Sequence, residues 1–185
     1  GTGVTGEEIL HTQNYDISTA SGNDPQETRK AISLNKKIFT VLKKEPDNNA
    51  AAEKINNLYR KALEKEKKSP QEIEIALKTL NNSMNSVSFN WMRYFMFTNP
   101  ADFWKNVKCP VLALNGEKDL QVSAKVNLPA IEKALRKGGN NSVKTVSLPG
   151  LNHLFQHSET GLPKDYGDIE ETFSTEVLYI ITDWI

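Results

Sequence analysis

The sequence predicts a mixed α/β chain in which parallel strands with flanking helices follow a long all-helical segment. Three observations carry that prediction. The last third alternates strand, helix, strand, helix, the order that builds a parallel pair joined by a crossover. The run Val111 to Leu114 is continuously apolar and ends in a turn, as strands of parallel sheets covered on both faces do. The region from Asp24 to Phe97 repeats apolar residues at helical spacing and contains two matching start signals.

In chain order, the first signal is "DPQE" at Asp24 to Glu27, an N-cap followed by Pro at the first helical position and an acid two residues on. Ala31, Leu34, Ile38, Val41 and Leu42 then form one apolar face, and Pro46 stops the helix. A second helix is expected from about Asp47 to Lys67 on Ile55, Leu58, Tyr59, Ala62 and Leu63, with "RKALEKEKKS" as its solvated face. "SPQE" at Ser69 to Glu72 opens a third through Ile73, Ala76, Leu77, Leu80 and Met84. "FNWMRYFMF" is too apolar for a free surface helix. Trp91, Tyr94 and Phe95 are therefore expected to pack against a neighbouring layer, with the lining of a substrate pocket as the functional alternative.

From Asn99 the grammar changes. "NPADFW" reads as a short capped helix, "CPVLALNGEKD" as a strand ending in a turn, and the stretch from about Asn127 to Arg136 as a helix stopped by Gly138 and Gly139. "SVKTVSL" gives a second strand, "PGLNHLFQ" a tightly shaped loop, "TGLPKDYG" an irregular stretch, and "STEVLYIITDWI" a last helix capped by Ser174. The expected organisation is a linker after a core strand over 1–23, a helical segment over 24–98, and a βαβα portion over 99–185.

Lys+Arg and Asp+Glu balance at 23 each over 185 residues, so no global field favours nucleic acid or an anionic membrane surface. No apolar run approaches the ~20 residues that span a bilayer. The single cysteine, Cys109, cannot close an internal disulfide, and its place before Pro110 and an apolar run reads as a small buried hydrophobe. The opening "GTGVTGEEIL" has neither a methionine nor a signal-like apolar core, which implies processing or a boundary upstream and leaves the compartment open.

In open α/β sheets, reactive groups gather outside the carboxyl ends of the strands. Asp119 follows the first strand in "NGEKD", and His153 follows the second in "PGLNH", so both are expected on one edge. Alone, such an Asp is as well explained as a turn former, and such a His as a hydrogen-bonded loop residue. Together they match the acid and base that activate a nucleophile. Asn152 and Gln121 are expected to shape the two loops through side-chain bonds to backbone. His153 and His157 stand four apart near Glu159 and Asp165, but the Pro-Gly context opposes a helix through His153 and zinc wants three or four ligands, so no metal is expected.

Taken together, "CPVLALNGEKDLQV", "LPGLNHLFQ" and "TGLPKDYGDIEETFSTEVLYIITDWI" resemble the C-terminal part of serine α/β-hydrolases, in the group of prolyl oligopeptidases and dienelactone-hydrolase-like esterases. The likeness is strong over 91–185, and "GTGVTGEEIL" is similar to the loop that follows the strand after the nucleophile helix in that group. The resemblance implies the C-terminal portion of an α/β-hydrolase fold, with the helical segment as a cap over the active site. It implies Asp119 as catalytic acid, His153 as catalytic base, and cleavage of a small-molecule ester or a peptide without a cofactor.

One departure from the family pattern is large: Gly-x-Ser-x-Gly occurs nowhere in the chain. The nucleophile and its oxyanion-hole amides are then expected upstream, with this chain inactive alone and prone to self-association through an exposed sheet edge or the cap helices. The rival expectation, from a different class, is a non-catalytic helical interaction module on a small α/β scaffold.

Overall fold

The computed structural model of the chain describes residues 2–84 and 88–185. Gly1 and 85–87, which fall in the expected linker and helical segment, lie outside the described residues. The chain divides into two compact units, one formed by Gly1–Asp24 with Thr98–Ile185 and the other by Pro25–Phe97. No helix among the described residues is long and apolar enough to cross a membrane.

The second unit is all helical. Helices α2 (Pro25–Lys44), α3 (Asn48–Lys65) and α4 (Pro70–Met84) pack in sequence, α2 on α3 and α3 on α4, and α5 (Ser88–Phe97) follows. Asp47 caps α3 by accepting from the Ala50 N–H at 2.8 Å, satisfying a donor that the helix start leaves open. At α4 the capping box forms in both directions: Ser69 N donates to Glu72 Oε2 at 2.8 Å, and Glu72 N donates to Ser69 Oγ at 3.3 Å. Arg93 of α5 donates to the carbonyls of Leu42 and Glu45 and to Asn48 Oδ1, tying off the end of α2. The apolar stripes are only partly covered: Leu42, Ile55, Ile73 and Leu77 are buried, Leu34, Ile38 and Val41 are half-buried, and Ala31 is exposed.

The first unit mixes helix and strand. Its opening residues, expected as a linker, instead form helix α1 (Gly6–Ala20), started by Thr5, whose hydroxyl accepts from the Glu8 N–H at 3.3 Å. After the short α6 (Ala101–Trp104) come β1 (Val111–Gly116), α7 (Ala124–Lys137), β2 (Val143–Leu148), a 3-10 turn over Pro163–Asp168, and α8 (Thr175–Trp184). The two strands pair in parallel, Val111 opposite Val143 through Gly116 opposite Leu148, with α7 packed on both. They are the whole sheet among the described residues, so each has an unpaired edge, and Val111 to Leu114 are half-buried rather than covered on both faces.

Two side-chain expectations are corrected. Cys109 is exposed rather than buried, at a bend two residues before β1 begins. Ser174 stands at the N-cap of α8 but makes no capping bond; its backbone N–H donates to the Phe155 carbonyl at 2.8 Å and its buried Oγ has no partner. That bond ties the start of α8 to the "PGLNHLFQ" loop. Leu148, Leu151 and Val177 form the apolar core beneath it, and Leu151 is 0% exposed.

Candidate functional site

Because the strands end in register at Gly116 and Leu148, the loops that leave them start side by side. The backbone stitches them together: Glu117 N donates to the Leu148 carbonyl at 2.8 Å, and Lys118 N to the Leu151 carbonyl at 2.9 Å. Gly116 is what permits this approach, since a Cβ there would lie 2.2 Å from the Leu151 carbonyl oxygen. The second loop is shaped by Gly150 at φ 74° and by Asn152, which is 0% exposed. Asn152 Oδ1 accepts from the N–H groups of Leu154 (2.9 Å) and Gln156 (3.0 Å), a side-chain substitute for a backbone turn. Phe155, at φ 58°, takes the left-handed conformation without being glycine, and its carbonyl is the acceptor for Ser174.

These loops bring Asp119 and His153 together. His153 Nδ1 lies 2.9 Å from Asp119 Oδ2. A carboxylate only accepts, so the imidazole carries its proton on Nδ1 and leaves Nε2 as the basic nitrogen. The Asp119 side chain is 5% exposed and that of His153 38%, so the acid is enclosed while the imidazole stays open to a reactant. The other carboxylate oxygen, Oδ1, accepts from the backbone N–H of Gln121 (2.9 Å) and Val122 (2.8 Å), and Oδ2 also accepts from Asn115 Nδ2 (3.1 Å). All four bonds hold the carboxylate in one orientation.

The imidazole is consequently more basic than usual. His153 is held above the ordinary value of 6.5, first by its hydrogen bond to Asp119, against the downward pull of burial, and with help from the carboxylate's charge. Tyr166, on the 3-10 turn, faces the same pair: its hydroxyl accepts from Gln121 Nε2 at 3.4 Å, and its ionisation is pushed above the ordinary tyrosine range, chiefly by burial and also by the Asp119 charge. Gln121 thus reaches Tyr166 with its side chain rather than the backbone of its own loop.

The remaining sequence candidates lie elsewhere. His157 is exposed and bonds Glu171 at 2.9 Å, and Asp165 accepts from Thr160 at 2.6 Å, so neither converges with His153. No group of three or more His, Cys, Asp or Glu side chains among the described residues is arranged to hold a metal ion. Trp91, Tyr94 and Phe95 belong to α5 in the helical unit. Trp91 and Tyr94 are 61% and 64% exposed, contrary to the expected packing, whereas Phe95 is half-buried and Met96 is the buried side chain of this stretch. Trp91 stacks on Phe95 with centroids 5.4 Å apart.

Sequence reasoning missed Asn115, Asn127 and Tyr166. The first two carried a signal: Asn115 directly follows the apolar run of β1 while still within the strand, and Asn127 lies on the stripe of α7 formed by Ala124, Leu128, Ile131 and Leu135. An amide at such a position needs a buried partner. Tyr166 carried none. Compared with known proteins, the chain matches no family model, no curated protein and no solved structure.

Proposed function

We propose that Asp119 and His153 are the acid and base of a serine α/β-hydrolase that cleaves acyl ester or peptide bonds, with a nucleophile supplied from outside these residues. The observation that carries this reading is the 2.9 Å contact between Asp119 Oδ2 and His153 Nδ1 at the adjoining carboxyl ends of two parallel strands. In that role His153 Nε2 takes the proton of the nucleophile's hydroxyl as the acyl carbon is attacked, then returns it to the leaving group. Asp119 keeps the tautomer fixed and stabilises the imidazolium between the two transfers. Turnover then rises with pH as the elevated imidazole loses its proton.

The unpaired edge of β1 and the half-buried residues Val111 to Leu114 support completion of this sheet by further strands. Without them the isolated chain is expected to self-associate; a sedimentation profile that stays monomeric at high concentration would count against this part of the reading.

The deciding experiment compares hydrolysis of a short chromogenic acyl ester by this chain and by its full open reading frame. Turnover confined to the longer protein, and lost with His153→Ala, supports the reading. Turnover by this chain alone that depends on His153 refutes the external nucleophile, and turnover indifferent to His153 refutes the base. One observation favours a second reading: Trp91 and Tyr94 lie exposed almost one turn apart on α5, as partner-binding aromatics do. An open reading frame that never hydrolyses esters or peptides would favour that interaction module.

A further inference from the structure

We propose that a buried relay of two asparagines, Asn127 and Asn115, anchored on the Gly3 amide, positions the Asp119 carboxylate for His153. The assignment of Asp119 and His153 as acid and base is the reading on which this rests. Asn115 is 4% exposed, Asn127 5% and Asp119 6%, so each polar atom must find its partner within the protein.

The partners form a single line. Gly3 N donates to Asn127 Oδ1 at 2.6 Å, Asn127 Nδ2 donates to Asn115 Oδ1 at 2.9 Å, and Asn115 Nδ2 donates to Asp119 Oδ2 at 3.1 Å and to the Val122 carbonyl at 3.0 Å. The two ends dictate the direction. Asp119 only accepts, so Asn115 must turn its amide nitrogen toward it and its oxygen toward Asn127; Asn127 must then offer its own nitrogen and turn its oxygen to an N–H. Gly3 supplies that N–H. Neither amide can flip without breaking both neighbours, so the carboxylate meets His153 from a fixed side.

The anchor is itself fixed. Trp104 Nε1 donates to the Thr2 carbonyl at 2.7 Å, and Gly3 is pressed against α7 so closely that a Cβ would lie 2.5 Å from the Asn127 carbonyl oxygen. The opening residues thereby reach the site through Asn127, more than a hundred positions along the chain. Both asparagines are neutral, so the relay orients Asp119 without adding charge. Among the described residues, the titratable groups facing His153 are Asp119 and the Tyr166 hydroxyl, and the latter stays protonated throughout the imidazole titration.

The test is a pH titration followed by NMR. In the unaltered protein the side-chain amide signals of Asn115 and Asn127 and the backbone amide of Gly3 are expected to move with the midpoint of His153; flat signals from Asn127 and Gly3 overturn the relay. In Asn127→Leu, which alters a side chain bonded to Gly3 and Asn115 rather than to Asp119 or His153, the His153 midpoint is expected to fall by about half a pH unit toward its ordinary value. A folded variant with an unmoved midpoint also overturns it, and should the variant not fold, the titration of the unaltered protein decides. These readouts need no turnover: a relay that titrates in an open reading frame without hydrolase activity sinks the hydrolase reading alone, and flat relay signals in an active one sink the relay alone.

Discussion

The two units solve folding differently. Among the described residues the α/β unit buries Asn115, Asp119, Asn127, Asn140, Asn152, Gln156 and Ser174, whereas the helical unit buries one polar residue, Thr28. A buried amide or carboxylate is tolerated only where its partners stand in the right directions, so each such residue restricts the backbone around it. Asn140 illustrates this at the foot of the sheet: its side chain donates to the Val107 and Cys109 carbonyls and accepts from the Ser142 N–H, clamping the entries to both strands. The helical unit relies on periodic stripes, caps and exposed ion pairs, which tolerate small shifts. Directionally constrained polar geometry is therefore concentrated in the unit that carries Asp119 and His153.

The sharpest way to break this contrast is chemical. In the full open reading frame Asp119→Asn is expected to lower turnover about 10⁴-fold while leaving circular dichroism unchanged, because an amide holds the imidazole but favours the wrong tautomer. Unchanged turnover would remove Asp119 from the reaction.

Next in size is packing. Leu151→Ala removes a side chain that is 0% exposed beneath the His153 loop, and is expected to cost about 2–5 kcal/mol in denaturant unfolding. Ile75→Ala, at a residue 60% exposed in the helical unit, is expected within about 0.5 kcal/mol of the parent. Equal costs would erase the difference between the units. In between lies the Ser69 cap: Ser69→Ala removes the acceptor of the Glu72 N–H and is expected to cost about 1 kcal/mol, read by hydrogen exchange across α4.

The smallest effects are electrostatic. Breaking the exposed Arg60–Glu74 pair with Arg60→Ala should change stability by no more than about 1 kcal/mol, and less in high salt. His153 contributes with a definite sign. Its folded value is raised, so the stabilisation from its pair with Asp119 is fully present below 6.5 and is lost as pH rises through the raised value. Unfolding midpoints of the unaltered protein and His153→Ala should accordingly converge as pH increases, by a small amount because the side chain is 38% exposed.

The sequence by itself determined what depends on neighbours in the chain. Ser69 and Glu72 are three residues apart, and Asp47 stands three before Ala50, so helix starts were legible from spacing. The strand ends that place Asp119 and His153 on one edge were legible too, since apolar runs and turn residues mark them. Thr5 and Glu8 carried the same start signal for α1, obscured by the glycines around them.

Tertiary structure decided what depends on distant partners. Helix α7 begins at Ala124, before the expected start near Asn127, although Pro129 inside it has no N–H to give. Anchoring of Asn127 between Gly3 and Asn115 accompanies that extra turn. Exposure of Trp91, Tyr94 and Cys109, and the orientation of the Asp119 carboxylate, likewise follow from which surfaces meet. Periodicity and capping are short-range and written locally, whereas the orientation of the Asn127 amide, and through it that of Asn115, is completed only when Gly3, 124 positions from Asn127, is brought into contact with it.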